Sequence, residues 1–353
     1  MDILEYLDQA VATKASDLHI TVGMPPILRI DGALEKITDT PLTPEDTAGF
    51  IRQVLSDEQQ ELLHVRGELD VSFSMPGRGR FRVNAYRQRQ SYGLAFRVVS
   101  SLIPSLEELG LPPVVADLAR KKRGLILVTG PTGSGKSTTL ASMIDLMNTE
   151  RNAHVITLED PIEYLHSHRK CMINQREVGG DTQNFANGLR AALRQDPDII
   201  LVGEMRDLET ISIAVTAAET GHLVLSTVHT LGAAATVDRI IDVFPPYQQE
   251  QIKVQLSGNL EGIISQQLMA KKSGQGRVGA FEVMTATPAI RNLVREGKTH
   301  QIQSVIQTGT KFGMQTMDNA LLAHYRNGMI SRDTLFSFSV DMDYVRKQVS
   351  MGA

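Results

Sequence analysis

The 353-residue sequence predicts an α/β protein with two domains, on the strength of three observations. A glycine-rich stretch, "GPTGSGKSTT", follows an apolar run and precedes a helical pattern. Four apolar runs with helical segments between them indicate a parallel sheet buried on both faces. Short alternating strands with Gly and Pro turns in the first hundred or so residues indicate a separate antiparallel domain. We therefore expect an N-terminal domain at 1–100, a linker at 101–122 and a second domain at 123–353.

The first domain is predicted to alternate short strands with one helix. The strands "DLHITV" and "ILRIDG" are separated by Pro25 and Pro26, which exclude a helix there. The stretch "TPEDTAGFIRQVLSDEQQELL" predicts a helix with Thr43 as its N-cap and Pro44 at its first position. The runs "DVSFSM", "GRFRVNAY" and "GLAFRVV" then predict an antiparallel meander.

The second domain is predicted to present reactive residues at the ends of its strands. The runs "LILVTG", "HVITLED", "DIILVGE" and "LVLSTVH" lead into the glycine-rich loop, Glu159–Asp160, Glu204 and His229. In parallel sheets ligands bind at the carboxyl ends of the strands, so we expect one shared site. After these strands, the sequence predicts a strand pair around "KKSGQGRVGAFEVM" and then amphipathic helices.

The amino-acid composition and net charge argue against several classes of protein. The hydrophobic content of 42% and charged content of 22% are ordinary for a soluble globular protein. The net charge of −4 argues against a nucleic-acid binder, although a local basic patch stays open. The single cysteine, Cys171, excludes an internal disulfide and a cysteine zinc cluster. The longest weakly charged span, 211–237, contains Glu219 and Gly221, so we expect no integral membrane segment and a cytoplasmic location.

The motif "GPTGSGKST" matches G-x-x-x-x-G-K-[ST], with Gly130, Gly135, Lys136 and Ser137 at the fixed positions. Its glycines let backbone N–H groups converge on phosphate oxygens, and the helix N-terminus adds partial positive charge. We expect Lys136 to reach the β- and γ-phosphates and the Ser137 hydroxyl to ligate Mg²⁺. The alternative is a chance glycine-rich turn, which the preceding strand and following helix disfavour.

Acidic residues at two other strand ends indicate hydrolysis. Glu204 follows "DIILVG" and is placed to hold the Mg²⁺ water shell or to polarise the attacking water, although it could also cap the next helix. Glu159, Asp160 and Glu163 lie within five residues of one another, and one of them is a candidate for the base that orients water. Solvent exposure is the alternative explanation for these three carboxylates.

His229, at the end of "LSTVH", has a position that favours a functional role. His222, by contrast, also fits the end of a helix with Gly221 just beyond its last turn.

The first domain carries a cluster of arginines that is interleaved with aromatic residues: Arg78, Arg80, Arg82, Arg87, Arg89 and Arg97. Nucleic-acid binding, arginine fingers that reach a phosphate, and a solvated strand face are the alternatives. Arg97 lies between Phe96 and Val98 in a strand that we expect to be half-buried, so its charge requires an anion.

Four stretches resemble the motifs of one family. "GPTGSGKSTT", "ITLEDPIEY", "RQDPDIILVGEMRD" and "LSTVHTLGAAATVDRIID" resemble the Walker A, Asp box, Walker B and His box of the secretion ATPases. These are the hexameric motors of type II secretion and type IV pili. "SDLH", "AIRNLVREGK" and "GMQTMDNALL" resemble segments of the retraction (twitching-motility) motors within that family. The resemblance covers nearly the whole chain, with the motifs in the family's order.

The resemblance implies a PAS-like first domain, a RecA-like second domain, and a ring of six with ATP between the two domains of each subunit. It implies that Glu163 is the general base, that Glu204 and Ser137 support Mg²⁺ and that His229 senses the γ-phosphate. Arg82 and Arg97 would reach that phosphate from the first domain. The residues implied to bind the nucleotide are Gly130, Thr132, Gly133, Ser134, Gly135, Lys136, Ser137 and Thr138.

The implied function is a homo-hexameric ATPase that drives type IV pilus retraction, with ATP and Mg²⁺ as cofactors. Its implied partners are an inner-membrane pilus platform protein and, as an option, a paralogous retraction ATPase. Extension and secretion motors typically carry a four-cysteine zinc element, which the lone Cys171 disfavours. The paralogous retraction motor stays open. A RecA-type nucleic-acid motor fits the net charge poorly, and a nucleotide-binding module without turnover fits the four strand-end sites poorly.

Overall fold

The computed structural model of the chain describes residues 2–30, 32–100 and 102–351. It divides the chain into one unit of Met1–Leu102 with Pro161–Leu165, and another of Ile103–Asp160 with His166–Ala353. Two predicted positions lie outside the described residues. They are Asp31, the fifth residue of the predicted strand "ILRIDG", and Ser101, the first residue of the expected linker. The assignment of Pro161–Leu165 to the first unit was not predicted from the sequence.

The first unit contains an antiparallel sheet, as its alternating pattern predicts. Its elements are α1 (Ile3–Ala12), β1 (Asp17–Ile20), β2 (Ile27–Ile30), β3 (Ala33–Lys36), α2 (Pro44–Val54), α3 (Asp57–Arg66), β4 (Glu68–Met75), β5 (Gly79–Gln88) and β6 (Ser91–Val99). The described strands are ordered β3-β2-β1-β6-β5-β4, with every neighbouring pair antiparallel. Phe50 from α2 packs with Phe81 and Phe96 of the sheet in one apolar core. Because successive strand residues point to opposite faces, the arginines beside these phenylalanines lie on the other face.

The single helix predicted from Thr43 onward is two helices in the structure. The N-terminus is as predicted, because Thr43 caps α2 and Pro44 is its first residue. The helix ends at Val54, and Ser56 starts α3 through a second capping box with Gln59. A serine three residues before a glutamine is a start signal in its own right, so the local capping preference breaks the longer helix.

The second unit carries the remaining elements. They are α4 (Val114–Ala119), β7 (Gly124–Thr129), α5 (Lys136–Glu150), β8 (His154–Glu159), β9 (Met172–Glu177), α6 (Phe185–Ala192), β10 (Ile199–Val202), α7 (Leu208–Glu219), β11 (Leu223–Val228), α8 (Ala233–Asp242), α9 (Pro246–Asn259), β12 (Leu260–Ala270), β13 (Arg277–Thr285), α10 (Pro288–Arg295), α11 (Ile302–Thr308), α12 (Met317–Arg326), α13 (Arg332–Phe338) and α14 (Met342–Met351). Short 3₁₀ turns at Thr299–Gln301 and Thr310–Phe312 join three of the later helices. Within the part of the chain that is described, no helix combines the length and the apolar character needed to cross a membrane.

The sheet of the second unit places the four predicted strands together at its centre. Its described strands are ordered β13-β12-β7-β11-β10-β8-β9, and all neighbours are parallel except β12 and β13. β9 was not predicted, because its sequence "MINQRE" lacks the apolar run of a buried strand and lies at the edge of the sheet. The expected linker, 101–122, contains the helix α4, which buries Val115 and Leu118 in the core of this unit. The α/β class with an antiparallel N-terminal domain is confirmed.

A buried carboxylate in β13 fixes the helix that begins after His229. Glu282 is 2% exposed, and its Oε1 accepts a hydrogen bond of 2.8 Å from the backbone N–H of Ala233 at the start of α8. Its Oε2 accepts a hydrogen bond from Gln303 Nε2 at 3.2 Å. Negative charge at a helix N-terminus is stabilising, and the paired oxygens reduce the cost of burying the charge.

The helix α10, which carries most of "AIRNLVREGK", is anchored in the second unit. Ile290 and Val294 are fully buried and Leu293 packs against the same core, as its amphipathic pattern predicts. Arg291 donates hydrogen bonds to the Ser257 and Gly258 carbonyls at the end of α9, and also to the Ala286 carbonyl and the Glu261 carboxylate. These bonds satisfy carbonyls that the end of an α-helix leaves open. Arg291 therefore has a structural task in this segment.

Candidate nucleotide-binding site

The glycine-rich loop joins β7 to α5 and has a backbone that requires glycine at its key positions. Gly130, Gly133 and Gly135 have φ values of +141°, +79° and +90°. A Cβ atom on Gly130 would lie 2.2 Å from the Gln266 carbonyl oxygen, so no side chain fits there. Glycine adopts these left-handed conformations without the steric cost that other residues meet. The loop therefore brings the backbone N–H groups and the N-terminus of α5 to the carboxyl end of β7, which suits an anion.

Lys136 is the first residue of α5 and is held over the loop. Its side chain is 8% exposed, and Nζ donates hydrogen bonds to the carbonyls of Gly130 at 2.9 Å and Pro131 at 3.0 Å. Ser134 Oγ is buried and has no hydrogen-bond partner among the described residues. A buried ammonium beside an unpaired hydroxyl fits the phosphate groups of a nucleotide, because phosphate oxygens accept from both.

The structure brings together Glu204 and His229, which follow β10 and β11, and Lys136, the first residue of α5. Nε2 of His229 is 3.4 Å from Oε2 of Glu204, and its Nδ1 is 3.5 Å from Lys136 Nζ. Arg206 forms an ion pair of 2.8 Å with the same Glu204 oxygen. The His229 ring therefore lies between the Glu204 carboxylate and the Lys136 ammonium.

The predicted Mg²⁺ ligands, Ser137 and Glu204, are not part of a complete metal cage. The described residues contain no group of three or more His, Cys, Asp or Glu side chains that could hold a metal ion. Mg²⁺ is commonly held by one or two protein groups together with phosphate oxygens and water. A Mg²⁺ ion that arrives with a nucleotide therefore does not require such a group of protein side chains.

The three acids of "ITLEDPIEY" have different environments. Glu159, at the end of β8, accepts hydrogen bonds from Thr157 Oγ1 at 2.6 Å and Gln175 Nε2 at 3.1 Å. Its carboxylate is thereby engaged within the sheet. Glu163 is exposed and belongs to the first unit through Pro161–Leu165. Asp160 is also exposed and stays in the second unit, so both Asp160 and Glu163 have the accessible carboxylate that a base requires.

The first unit brings Glu163 together with Arg82 and Arg97 in one pocket, whose lining also includes Tyr164. The Glu163 segment reaches this sheet because the N–H of Leu165 donates to the Ser100 carbonyl at 3.1 Å, just beyond β6. Arg82 and Arg97 lie directly opposite each other on β5 and β6. Like charges in that position repel, so the pair favours an anion beside it.

The strand β6 is half-buried, as expected for the surroundings of Arg97. The Arg97 side chain itself is 70% exposed, so burial does not by itself require an anion beside its charge. It also has a carboxylate partner, because its Nε donates to Asp17 Oδ1 at 3.0 Å from the neighbouring strand β1. This partner could not be predicted from the local sequence, because strand pairing joins residues that are eighty positions apart. Arg82 has no hydrogen-bond or ion-pair partner among the described residues.

Asp17 is mostly buried, with 13% of its side chain exposed. Burial alone would raise the pKa of this carboxyl, but hydrogen bonds from Ser16 and Arg97 and the charge of Arg97 lower its pKa on balance. Asp17 therefore stays ionised at neutral pH and fixes the Nε edge of Arg97. The signal in the sequence was the acid inside "SDLH".

Other arginines of the cluster have structural partners. Arg78 forms an ion pair with Asp8 at 2.6 Å, and Arg87 donates to the His64 carbonyl at 3.5 Å. Arg80 donates to Ser74 Oγ at 3.3 Å. These contacts support the interpretation of a solvated strand face for these three residues.

His166 is the first residue of the chain after Pro161–Leu165 and belongs to the second unit. Its protonation is expected to make the stability of the protein depend on pH. Its Nδ1 is shielded from solvent without a described partner, and burial lowers the pKa of the ring to about 4 from 6.5. Asp145 opposes this change and Arg169 adds to it. Because the unfolded chain binds the proton first, His166 reduces stability as the pH falls from 6.5 towards 4.

We expect the wild-type chain to lose about 2 kcal/mol more free energy of unfolding between pH 7 and pH 5 than a His166→Leu variant. The variant removes the group that gains a proton on unfolding. Urea denaturation of both proteins at the two pH values measures the difference. Equal losses in the two proteins would contradict the assignment of this pH dependence to His166.

Comparison with known proteins places these observations in a family. Residues 2–331 match the family model described as type II/IV secretion system protein. The chain is 50% identical over 333 residues to the type IV pilus retraction ATPase PilT of Pseudomonas aeruginosa, with 94% of this chain and 96% of that protein covered. It is 40% identical over 353 residues to the type IV pilus ATPase PilU of the same organism, with 100% and 92% covered.

A solved structure agrees with this comparison. The crystal structure of the pilus retraction motor PilT with bound ADP superimposes with a TM-score of 0.90 and 49% sequence identity. The superposition covers 98% of this chain and 99% of that chain. The fold is therefore similar over both units to that of a nucleotide-bound motor.

Proposed function

Because this chain belongs to the family of type II/IV secretion system proteins, we propose that it is an ATP-hydrolysing motor that drives type IV pilus retraction. The observation that carries the proposal is the glycine-rich loop with Lys136, His229 and Glu204 arranged at its mouth. The higher identity to the retraction ATPase than to the PilU protein favours the retraction motor over its paralogue. Hydrolysis would be coupled to movement between domains, which needs no second substrate pocket.

Each part of the site would take one part of Mg²⁺–ATP. The residues that would bind the phosphates are Gly130, Thr132, Gly133, Ser134, Gly135, Lys136, Ser137 and Thr138. Ser137 and Glu204 would hold the Mg²⁺ ion, directly or through water, and this ion supplies charge neutralisation at the phosphates when it is bound. His229 would report the γ-phosphate to Glu204 through the contact between their side chains.

Glu163 is the proposed general base, and Arg82 and Arg97 are proposed to stabilise the charge on the transferred phosphoryl group. Their location in one pocket of the first unit supports this division of tasks. A base and two arginines on a unit separate from the loop would make hydrolysis depend on the movement of that unit. Phosphoryl transfer relies mainly on such positioned charges, so their approach can switch the reaction on.

We further propose a homo-hexameric ring on the cytoplasmic face of the inner membrane, at the base of the pilus. Its partner there would be the pilus platform protein, with a paralogous ATPase as an optional partner. A motor that acts on a pilus requires such an anchor, and the chain contains no described helix that could provide one. Cross-linking followed by mass measurement of the purified chain with ATP tests the ring.

The identity of the base can be tested with paired substitutions. Glu163→Gln should keep Mg²⁺–ATP binding and lower turnover by about 10², because an amide cannot accept the proton of the attacking water. Glu204→Gln should impair turnover with a larger loss of Mg²⁺ affinity. Phosphate release as a function of Mg²⁺ concentration measures both effects. Normal turnover of Glu163→Gln with an inactive Glu204→Gln would instead identify Glu204 as the base.

Two experiments test the function as a whole. ATPase rates with and without DNA separate the pilus motor from a nucleic-acid motor, since only the latter should respond to DNA. Deletion of the gene in the host should abolish pilus retraction in live imaging, and wild-type complementation should restore it. Normal retraction in the deletion strain would overturn the proposed function.

A further inference from the structure

Gln266 in β12 is a buried polar residue that contacts both ends of the glycine-rich loop. It is 2% exposed, and its Nε2 donates to the Ser134 carbonyl at 2.6 Å. Its Oε1 accepts from Thr139 Oγ1 at 2.9 Å, within α5. One side chain thus connects the tip of the loop to the helix that follows it. A glutamine suits this place because its amide supplies a donor and an acceptor at once.

The backbone of the same residue also limits the shape of the loop. β12 runs parallel to β7, with Ser265 opposite Thr129, so Gln266 lies beside the first loop glycine. Its carbonyl oxygen occupies the space that a Cβ atom on Gly130 would need. β12 therefore contacts the loop through main chain and side chain together.

The bond to Ser134 sets the orientation of a peptide group in the loop. A trans peptide is planar, so its C=O and N–H point in opposite directions. Because Gln266 holds the Ser134 carbonyl towards β12, the N–H of Gly135 points away from β12. An inverted peptide would present a carbonyl oxygen to an anion in place of a donor, which would repel it.

We propose that Gln266 is a positioning residue for the phosphates of the bound nucleotide. It holds the Ser134–Gly135 peptide in the orientation that presents donors to the phosphates, and it joins this peptide to α5 through Thr139. The residue needs no contact with the nucleotide itself. This inference rests on the proposed function, because it assumes that the loop binds ATP and ADP.

The neighbouring residue Gln267 provides a matched control. It is also a buried glutamine, 7% exposed, and its Nε2 donates to the Phe338 carbonyl at 3.2 Å. Successive residues in a strand point to opposite faces, so Gln267 turns away from the loop and towards the C-terminal helices. Replacing either glutamine removes a buried amide and leaves a carbonyl without its donor, but only one of the two carbonyls belongs to the loop.

The test compares Gln266→Met with Gln267→Met in the full-length chain. Methionine keeps a similar length and removes both polar groups. The Kd for ADP carrying a fluorescent N-methylanthraniloyl group should rise about tenfold in Gln266→Met, which corresponds to about 1.4 kcal/mol. It should stay within about twofold of the wild-type value in Gln267→Met. Thermal unfolding measures the loss of stability, which should be similar in both variants.

A second variant tests the proposal if Gln266→Met fails to fold. Thr139→Val removes the hydroxyl donor and keeps the volume of the side chain, and it should raise the same Kd about threefold. A Kd unchanged from wild type in the folded Gln266→Met variant overturns the inference, as does an equal rise in Gln267→Met. With Gln266→Met unfolded, an unchanged Kd in Thr139→Val overturns it. A wild-type chain that binds neither ADP nor ATP defeats the proposed function, and this inference with it.

Discussion

Lys136→Ala is expected to abolish ATP hydrolysis, with turnover reduced by more than about 10³. Lys136 is a buried residue of the loop, 8% exposed, and its Nζ lies 3.5 Å from His229 Nδ1. Alanine removes the charge that would neutralise the phosphates and the link from the loop to His229. Steady-state phosphate release at saturating Mg²⁺–ATP measures the loss.

The fold should survive this substitution, because the shape of the loop depends on its glycines and on β12. Circular dichroism and the thermal midpoint of the variant should therefore stay close to those of the wild-type chain. Lys272→Ala, which changes an exposed lysine after β12, is the matched control and should hydrolyse ATP normally. Wild-type turnover in Lys136→Ala would show that this loop is not the site of hydrolysis.

The parts of this site that lie at strand ends could be predicted from the sequence. A parallel sheet brings the carboxyl ends of its strands to one edge, so the order of apolar runs was enough to group Lys136, Glu204 and His229. In the structure His229 contacts both Lys136 and Glu204. The motif "GPTGSGKST" likewise predicted the start of α5, because its residues have a local conformational preference as well as a chemical one.

Other features depend on pairings that no local pattern contains. Asp17 meets Arg97 only because β1 pairs with β6, and Glu163 joins the arginines only because Pro161–Leu165 returns to the first unit. In the sequence Gln266 looks like an ordinary strand residue, and its contact with the loop becomes evident only from the pairing of β12 with β7. Register between distant strands is set by packing of the whole sheet, so these neighbours could not be inferred from spacing.

The Asp17–Arg97 pair decides how the arginine should be tested. The Arg97 side chain is 70% exposed, so its ion pair contributes less than about 1 kcal/mol to stability. A purely structural role for Arg97 would therefore appear as a small change in thermal stability and little else. A large effect on turnover would require that the arginine acts on the nucleotide.

Arg97→Ala is expected to lower turnover by a factor on the order of 10³, the effect of losing an arginine that stabilises the transferred phosphoryl group. Asp17 engages Nε and so orients the arginine beside Arg82, whose like charge favours an anion in this pocket. ADP affinity should change little, because ADP lacks the phosphate that the arginine would contact. Phosphate release and titration with fluorescent ADP measure the two quantities.

Arg78→Ala is the control for this experiment, since Arg78 is an exposed arginine of the same unit that pairs with Asp8. It should leave both turnover and ADP affinity unchanged. Asp17→Asn should reduce turnover by less than Arg97→Ala, because it loosens the orientation of the arginine and keeps its charge. If Arg97→Ala weakens the binding of ADP and ATP equally, or lowers only the thermal midpoint of unfolding, the arginine has a structural role in the sheet. The trigger for hydrolysis would then be assigned to Arg82 and Glu163, the other two charged residues of the pocket.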